Sequence, residues 1–527
     1  MKKLPDTKKI LPMAVLILDG WGISNNKKGN AVKHADTPTI NRLCRNYPYT
    51  QLYAHGKYAG LPESPPQVGN SEAGHMNIGA GRVVEQDSVR INKSINNGTF
   101  YKNPAFLEAV RHVKDNRSSL HLMGIVSSGM SPHGYNKHIY ALLELARRER
   151  IKKVYLHLFT DGRDSPKYDG IKIIEDIKSK LQENEQIATI MGRFYAMDRK
   201  KKWSRTKKAY QALTEGKAKV AKNTSVAISS AYTRGESDEF VKPIIIDRKG
   251  NRETGCINDN DGVVFFNLRS DRGRQLSKVF VQKKFKQKNP GSFRRRRVIK
   301  NLKFVAMTDF GPDLDHILTA YPGIDIGNTL PSVLKDFSQV YMAESEKYAH
   351  VTYFLNGGFS SKVNGEDYYG VPSPDVDSYD RTPAMKGEHL TEKLLEYLKK
   401  DKYDFSLLNF AAPDMIGHTG NLKAGIDCCE KTDELVKRII TEYLKKNGTV
   451  IITADHGNVE QMINQQTGRI ETRHSTNPVP FIIVNKKLKN IKLKKNGKLA
   501  DIAPTILDLC GAEKPCDMTG KNLIKKS

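Results

Sequence analysis

A glycine-rich stretch at residues 69–81 (GNSEAGHMNIGAG) contains the serine whose setting best suits a nucleophile. Glycines on both sides of Ser71 allow the backbone to turn tightly and leave the hydroxyl exposed. Clusters of Gly, Ser and Asn also form ordinary turns, so this stretch alone assigns no function. Its meaning depends on acidic and imidazole side chains elsewhere in the chain.

Those side chains lie in three short segments near the carboxyl end. Asp414 and His418 stand four residues apart, which brings both to one face of a helical turn. Asp455 and His456 are adjacent after an apolar run, and His474 follows in RHSTNP. Carboxylate oxygen and imidazole nitrogen without thiolate suit manganese, zinc or magnesium.

Asp19 directly follows an apolar run. Together with Ser71 and the side chains above, it supplies enough candidate ligands for two ions. Paired ions serve in-line displacement at phosphorus because they stabilise the attacking and leaving oxygens together. They also lower the pKa of a bound hydroxyl, so Ser71 could act as an alkoxide near neutral pH without a histidine base. A single buried Asp–His contact is more often structural, but recurrence in three Gly/Pro-flanked segments favours a metal site.

The central region supplies charged side chains that follow apolar runs or turns: Arg163, Asp164, Arg193, Arg199, Arg269 and Arg272. The planar guanidinium binds carboxylate and phosphate through two hydrogen bonds, so converging arginines predict a small, multiply anionic substrate. Surface salt bridging is the alternative for any one of them. Lys347 and His133 are further candidates for a phosphate contact.

Composition excludes several classes of protein. The 527 residues, 38% hydrophobic and 27% charged, suit two or three globular domains rather than a disordered chain. No apolar run is long enough to span a membrane, and the run at 11–18 is short and lacks a cleavage site, so we expect neither export nor an anchor. Six cysteines without a CxxC pair argue against a disulfide framework and predict a reducing, cytoplasmic compartment.

Two tracts account for much of the net charge of +28. Residues 283–300 hold nine basic side chains and residues 486–498 hold seven, with no acidic residue in either. Such tracts can contact phosphate backbones or a membrane surface. Neither shows repeated aromatics or a zinc-finger spacing, so we favour solvated surface and expect no nucleic-acid or membrane partner.

Apolar runs and amphipathic stretches alternate, which predicts α/β architecture with parallel strands. The predicted strands are 15–18, 120–126, 153–159, 188–191, 262–267, 304–307, 350–354, 405–410 and 450–453, and the predicted helices are 138–148, 170–183 and 501–510. Ligand-bearing strand ends occur before residue 85 and after residue 400, with arginine-rich ends between them. We therefore predict one domain interrupted by another, with hinges near residues 85–87 and 320–323.

Ten segments together resemble the cofactor-independent (2,3-bisphosphoglycerate-independent) phosphoglycerate mutases of the alkaline phosphatase superfamily. In family order they are LDGWG, GNSEAGHMNIGAGR, FTDGRD, GRFYAMDR, NLRSDR, EKYAHVTYF, NFAAPDMIGHTGN, TADHGN, HSTNPVPF and DIAPTILDL. The resemblance covers nearly the whole chain. It implies two three-layer α/β domains: a metal-binding phosphatase-like domain at 1–85 and 322–527, and an inserted substrate-binding phosphotransferase domain at 86–321.

The resemblance also implies roles for individual residues. One manganese ion is expected on Asp414, His418 and His474, and the other on Asp19, Ser71, Asp455 and His456; Mg²⁺, Zn²⁺ or Co²⁺ are alternatives. Substrate contacts are expected from His133, Arg163, Asp164, Arg193, Arg199, Arg269, Arg272 and Lys347. No bisphosphoglycerate is expected to be needed, and the chain is expected to be a monomer.

The implied reaction interconverts 3-phosphoglycerate and 2-phosphoglycerate in glycolysis and gluconeogenesis through a phosphoserine at Ser71. Asp164 is the candidate for proton exchange with the glycerate hydroxyls, and Lys347 for balancing leaving-group charge. Domain closure is expected to exclude water from the phosphoserine.

Two segments depart from the family pattern. MSPHGYNKH at residues 130–138 replaces a GVHSH-like loop, which shifts or removes its second histidine, and 283–297 is an unusually basic elaboration. Two alternative functions stay open: another metal-dependent phosphohydrolase or phosphopentomutase-like enzyme, and a polybasic binding protein on a degenerate scaffold.

Overall fold

The computed structural model describes residues 10–63, 66–129, 131–247, 250, 255–311, 313–314 and 316–525. The lysine-bearing start of the chain, at 1–9, and Met130 of the predicted histidine loop lie outside these ranges. The chain divides into two units, of which the first comprises 1–86 and 324–527 and the second 87–323. The boundaries expected from the sequence lie within two residues of these. Within the described ranges, no helix is both long and apolar enough to cross a membrane.

The described residues form sixteen strands. In chain order they are β1 Met13–Leu18, β2 Tyr49–Tyr53, β3 Leu120–Val126, β4 Val154–Thr160, β5 Glu185–Gly192, β6 Lys219–Ala221, β7 Ile244–Ile246, β8 Gly262–Phe265, β9 Lys303–Thr308, β10 Leu318–Tyr321, β11 Gln339–Glu344, β12 Asp367–Val371, β13 Phe405–Phe410, β14 Thr449–Thr453, β15 Val479–Val484 and β16 Gly497–Lys498.

Seventeen α-helices accompany these strands in the same part of the chain. They are α1 Ala31–His34, α2 Pro38–Asn46, α3 Ser71–Ala80, α4 Asp87–Asn96, α5 Pro104–Asp115, α6 Asn136–Arg148, α7 Gly170–Ser179, α8 Arg193–Ala196, α9 Trp203–Thr214, α10 Thr224–Thr233, α11 Ser270–Val281, α12 Phe285–Lys288, α13 Leu330–Val333, α14 Gly387–Lys399, α15 Ala412–Gly417, α16 Leu422–Lys445 and α17 Ile502–Cys510.

The first unit is built on an eight-stranded sheet in the order β12-β11-β13-β1-β14-β15-β2-β16. β1 pairs in parallel with β13 on one side and β14 on the other, while β15 runs antiparallel to β14. All residues of β1, β13 and β14 are buried, as expected for parallel strands covered on both faces. Three neighbouring strands therefore end at the same edge of the sheet.

The second unit has its own eight-stranded sheet, in the order β10-β9-β8-β3-β4-β5-β7-β6. β8, β3, β4 and β5 run parallel, and β7 is antiparallel to β5. Alternate residues of β3 enter different cores: Leu120 and Leu122 pack with α5 and α6, whereas Met123 and Ile125 pack with α9 and α11. Helices cover both faces, which confirms the predicted α/β class.

One predicted strand was wrong. Residues 350–354 form a π-helical turn, His350–Phe354, and the strand of this region is β11, eleven residues earlier. The β-branched and aromatic residues of HVTYF suggested a strand, but the hydroxyl of Thr352 donates to the carbonyl oxygen of Tyr348 at 2.7 Å within the helical turn. Lys347 therefore follows a strand rather than preceding one. The other predicted strands and helices are present with small shifts at their ends.

Helix α3 is held close to its neighbours at two glycines. A Cβ atom added at Gly74 would lie 2.8 Å from the Asp455 carbonyl oxygen, and one added at Gly79 would lie 1.9 Å from the Leu355 carbonyl oxygen. Backbone atoms cannot move aside as a side-chain tip can, so these positions require glycine. The same helix begins at Ser71, and its close packing fixes the position of that residue.

We predict that Gly79→Ala lowers the thermal unfolding midpoint, because the added methyl group overlaps the backbone of Leu355, the residue after the 350–354 turn. The expected cost is about 1–3 kcal/mol, the usual range for overpacking. Circular dichroism melts would measure it. Gly327→Ala is the matched control, because a Cβ there meets nothing within 4 Å. Equal midpoints for the two variants would contradict the prediction.

Candidate active site

The ends of β1, β13 and β14 deliver three carboxylates to one place in the first unit. Asp19 follows β1, Asp414 lies in α15 just after β13, and Asp455 follows β14 by two residues. Register pairs Ile17 with Asn409 and with Thr453, so the three strands end side by side. Open α/β sheets form their sites at this edge. All three aspartates are buried.

Ser71 is the first residue of α3 and points into this group. Its Oγ lies 2.9 Å from His456 Nε2, 3.3 Å from Asp19 Oδ1 and 2.7 Å from Lys347 Nζ. The side chain of Asn70 caps the helix by accepting from the backbone N–H of Ala73 at 2.9 Å. The positive end of the helix dipole therefore lies beside the serine oxygen, where it favours negative charge.

Asp414, His418 and His474 form the first candidate metal group, with ligand atoms within 4.8 Å of one another. The expected helical turn is present, because the backbone N–H of His418 donates to the Asp414 carbonyl oxygen at 3.0 Å. Asp414 Oδ1 lies 3.2 Å from His474 Nε2 and 3.4 Å from His418 Nε2. The structure thus brings together the three residues expected to share one ion.

Asp19, Asp455 and His456 form the second group under the same distance limit. His456 Nε2 lies 3.4 Å from Asp455 Oδ2 and 3.7 Å from Asp19 Oδ1. With the Ser71 hydroxyl at 2.9 Å from the same nitrogen, all four residues expected at the other ion are adjacent.

Lys347 contacts both groups. Its Nζ lies 2.6 Å from Asp19 Oδ1 and 2.7 Å from Asp414 Oδ2. Burial disfavours its charge, but Asp19, Asp414 and Asp455 hold the pKa of Lys347 above its ordinary value. Burial, followed by the Asp455 carboxylate, raises the pKa of Asp19 to about 7. Among the described residues, Lys347 is the only lysine or arginine paired with these carboxylates, so the group carries an excess of negative charge.

Histidine orientation provides a direct test of whether the residues fit a metal. Nδ1 of His418 lies 2.7 Å from the Thr472 carbonyl oxygen, and Nδ1 of His474 lies 2.8 Å from that of Gly69. A carbonyl only accepts, so both protons are on Nδ1 and both Nε2 atoms offer lone pairs. The two Nε2 atoms are 3.1 Å apart and face Asp414 Oδ1. Three electron-pair donors converging on one point fit a divalent cation.

In the second unit, a buried arginine that follows β5 is bound by two aspartates that follow β4. Arg193 Nη1 donates to Asp161 Oδ1 and Asp164 Oδ2 at 2.5 Å each. His133 Nε2 lies 3.8 Å from Asp164 Oδ2. Burial, followed by Arg193, Arg269 and other arginines, lowers the pKa of His133 to about 2. These expected substrate residues therefore lie in one neighbourhood.

The remaining arginines are more accessible. Arg199 pairs with Asp271 and its side chain is 50% exposed, and Arg163 lies 4.0 Å from Glu239 with 55% of its side chain exposed. Burial, then the charges of Arg193 and Arg199, lowers the pKa of Arg272. The Nε of Arg193, the Nε of Arg272 and the Nδ1 of His133 are buried without a hydrogen-bond partner among the described residues. The two guanidinium N–H groups are cationic donors without a partner, and they suit an anionic ligand.

Sequence reasoning missed several residues that orient this site. Asn458 Nδ2 donates to Asp414 Oδ1 at 2.7 Å, and Asn409 Nδ2 donates to Asp19 Oδ2 at 2.7 Å. Asp161 bonds Arg193, and His75 contacts Ser71 and Asp455. All four lie in segments already recognised: Asp161 in FTDGRD, Asn458 in TADHGN, Asn409 in NFAAPDMIGHTGN and His75 in GNSEAGHMNIGAGR. Nothing in the spacing within these segments marks Asn409 or His75 as a residue of the site.

Comparisons with known proteins agree with this geometry. The model of the metalloenzyme superfamily matches residues 11–514. The chain is 47% identical over 521 residues to 2,3-bisphosphoglycerate-independent phosphoglycerate mutase 1 of Methanosarcina barkeri, covering 98% of each chain. It is 45% identical over 518 residues to the mutase of Clostridium kluyveri, covering 98% of this chain and 99% of that protein.

A solved structure gives the same result. The phosphoglycerate mutase of Leishmania mexicana at low cobalt concentration superposes with a TM-score of 0.78, at 28% identity, over 100% of this chain and 99% of that chain. The family resemblance drawn from the ten sequence segments is confirmed.

We predict that His474→Ala reduces the number of Mn²⁺ ions bound per chain from two to one. The variant leaves only Asp414 and His418 to hold the first ion, whereas the ligands of the second ion are unchanged. Metal content after dialysis, measured beside circular dichroism, checks the result. His389→Ala is the control, because His389 is an exposed histidine that bonds Tyr369 at 2.8 Å. Retention of two ions by His474→Ala would contradict the ligand assignment.

Proposed function

The chain belongs to the metalloenzyme superfamily and, within it, to the 2,3-bisphosphoglycerate-independent phosphoglycerate mutases, and from this premise we propose that it interconverts 3-phosphoglycerate and 2-phosphoglycerate through a phosphoserine at Ser71. A mutase of this kind is an isomerase that uses no bisphosphoglycerate. The observation that carries the proposal is the Ser71 hydroxyl, placed 2.7 Å from a buried lysine and among three buried carboxylates and a histidine.

Ser71 is the proposed acceptor of the phosphoryl group. The Ser71 hydroxyl first loses its proton to solvent, and a bond then forms between Ser71 Oγ and phosphorus as the bond from phosphorus to the glycerate oxygen breaks. The N-terminus of α3 and the ammonium of Lys347 favour negative charge on the serine oxygen and on the phosphoryl oxygens. Two divalent ions, when bound, lower the pKa of the serine hydroxyl and neutralise phosphoryl charge. Asp414, His418 and His474 would hold one ion, and Asp19, Ser71, Asp455 and His456 the other.

The second unit is the proposed holder of the glycerate. Its arginines would bind the glycerate carboxylate while the dephosphorylated intermediate turns, so that the other hydroxyl can attack phosphorus and release Ser71. Asp164 is proposed to give a proton to the departing glycerate oxygen and to take one from the attacking hydroxyl. Its contact with Arg193 keeps the carboxylate oriented.

Several finer features are also proposals and rest on the family resemblance. The resident ions are proposed to be Mn²⁺, although Mg²⁺, Zn²⁺ or Co²⁺ share the preference for oxygen and nitrogen ligands. A small phosphorylated glycerate is the proposed substrate. The protein is also proposed to be cytoplasmic and monomeric. Units 1–86 with 324–527 and 87–323 are proposed as the phosphatase-like and phosphotransferase domains.

We predict that Ser71→Ala abolishes conversion of 3-phosphoglycerate, since Ser71 supplies the only hydroxyl bonded to both Lys347 and His456 in the part of the chain that the structure describes. The loss should reach about 10⁴-fold or more, as for other catalytic nucleophiles. Phosphorus NMR with Mn²⁺ and no added bisphosphoglycerate follows both isomers. Ser361→Ala, an exposed serine of the same unit, is expected to match the parent. Activity retained in Ser71→Ala would exclude the phosphoserine route.

We predict that Arg272→Lys raises the KM for 3-phosphoglycerate by about 10- to 100-fold, the value of one or two charge-assisted hydrogen bonds. Lysine keeps the charge but loses the planar fork. Arg274→Lys on the same helix is the matched control, because Arg274 forms a surface pair with Asp313 at 2.6 Å. The idea fails if both variants show the parent KM.

A further inference from the structure

His75 is a buried histidine to which neither the family resemblance nor the proposed reaction gives a role. It lies one helical turn after Ser71 in α3 and is fully buried. Its Nδ1 is 2.9 Å from the Ser71 carbonyl oxygen and 3.4 Å from Asp455 Oδ2. Its Nε2 is 3.0 Å from Asn409 Nδ2. The ring thus touches two residues of the second ligand group, Ser71 and Asp455, and Asn409, which bonds a third, Asp19.

Asn409 determines which ring nitrogen carries the proton. Its amide nitrogen donates to Asp19 Oδ2 at 2.7 Å, and the reverse orientation would set the amide oxygen against that carboxylate. The same NH₂ group faces His75 Nε2, so Nε2 accepts and the proton is on Nδ1. The Nδ1–H is then directed at the Ser71 carbonyl oxygen and Asp455 Oδ2.

The two oxygens of Asp455 have different surroundings. Oδ1 accepts from the backbone N–H groups of Gly20 at 3.2 Å and His456 at 3.0 Å. Oδ2 is buried and has no hydrogen-bond partner among the described residues, and its neighbours are His75 Nδ1 and His456 Nε2 at 3.4 Å each. Oδ2 is therefore the oxygen left for an ion, and His75 is the N–H donor beside it.

We propose that His75 is a positioning residue for the second ligand group: with Asn409 it ties Asp19, the Ser71 backbone and Asp455 together, and it holds Asp455 Oδ2 toward the ion. His350 packs against the ring at 5.5 Å between centroids and supports its orientation. The inference rests on the proposed function, because it takes the two ligand groups as metal sites. Outer contacts of this kind are commonly worth 10- to 100-fold in metal affinity.

Two conservative substitutions separate positioning from simple filling of space. In His75→Asn the side-chain amide lies where Nδ1 was, so a donor to Ser71 and Asp455 is kept. In His75→Gln the amide lies near Nε2, so the contact with Asn409 is kept and the donor is lost. His75→Ala loses both.

The experiment titrates the chelator-treated full chain with Mn²⁺ alone by calorimetry, with Mn²⁺ electron paramagnetic resonance as the spectroscopic readout. In His75→Gln and His75→Ala we expect the affinity for one of the two Mn²⁺ ions to fall by about 10- to 100-fold and the affinity for the other to stay unchanged. In His75→Asn both affinities should be close to those of the parent. In a cycle with Asn409→Ala, the losses at the two positions should not add, because both act through one hydrogen-bonded chain.

Three outcomes would overturn the proposal: parent-like affinity in all variants, better retention in His75→Gln than in His75→Asn, or failure of His75→Asn to fold. The test does not depend on catalysis. A parent that binds two Mn²⁺ ions but converts no phosphoglycerate would refute the proposed function and leave this inference standing. A parent that binds fewer than two ions would refute both.

Discussion

Burial of three aspartates beside one lysine is the constraint on which the first unit depends. Removing carboxylates from water costs several kcal/mol each unless they are paired and hydrogen-bonded. Lys347 pairs with two of the three, and the N–H groups of Gly20, Asn409 and Asn458 bond the carboxylates. The strand order β13-β1-β14 allows this convergence, because three parallel strands ending together leave no other place for their polar ends.

The strand order could not be read from the sequence, although its consequences could. Apolar runs ending in Asp or His predicted strand ends that bear ligands, and β3 and β13 have the predicted bounds. The prediction for residues 350–354 was wrong because β-branched and aromatic residues also occur in a partly buried helical turn, and a short apolar run does not distinguish a turn from a strand. β11 was missed because its Gln339 and Glu344 lie at buried ends, where their polarity concealed the strand.

Some contacts of the candidate site join residues that are near in sequence and could be predicted. Others join distant residues and depend on how the elements pack. Asp414 and His418 are near in sequence, so their spacing is informative. His75 and Asn409 are separated by 334 residues, and their contact exists only because α3 lies over the end of β13. Lys347 was recognised as a cation, but its direct contact with the Ser71 hydroxyl depends on the turn that follows β11.

The insertion of residues 87–323 has a consequence for biosynthesis. β1 ends at residue 18, whereas β13 and β14, its partners on each side, begin at residues 405 and 449. Synthesis proceeds at about 5–20 residues per second, so β1 has no partner strand for roughly 20–80 s. The second sheet is complete by residue 321 and can form during that interval. The central strand of the first unit therefore stays unpaired in the nascent chain until long after its own synthesis, while the second unit can already fold.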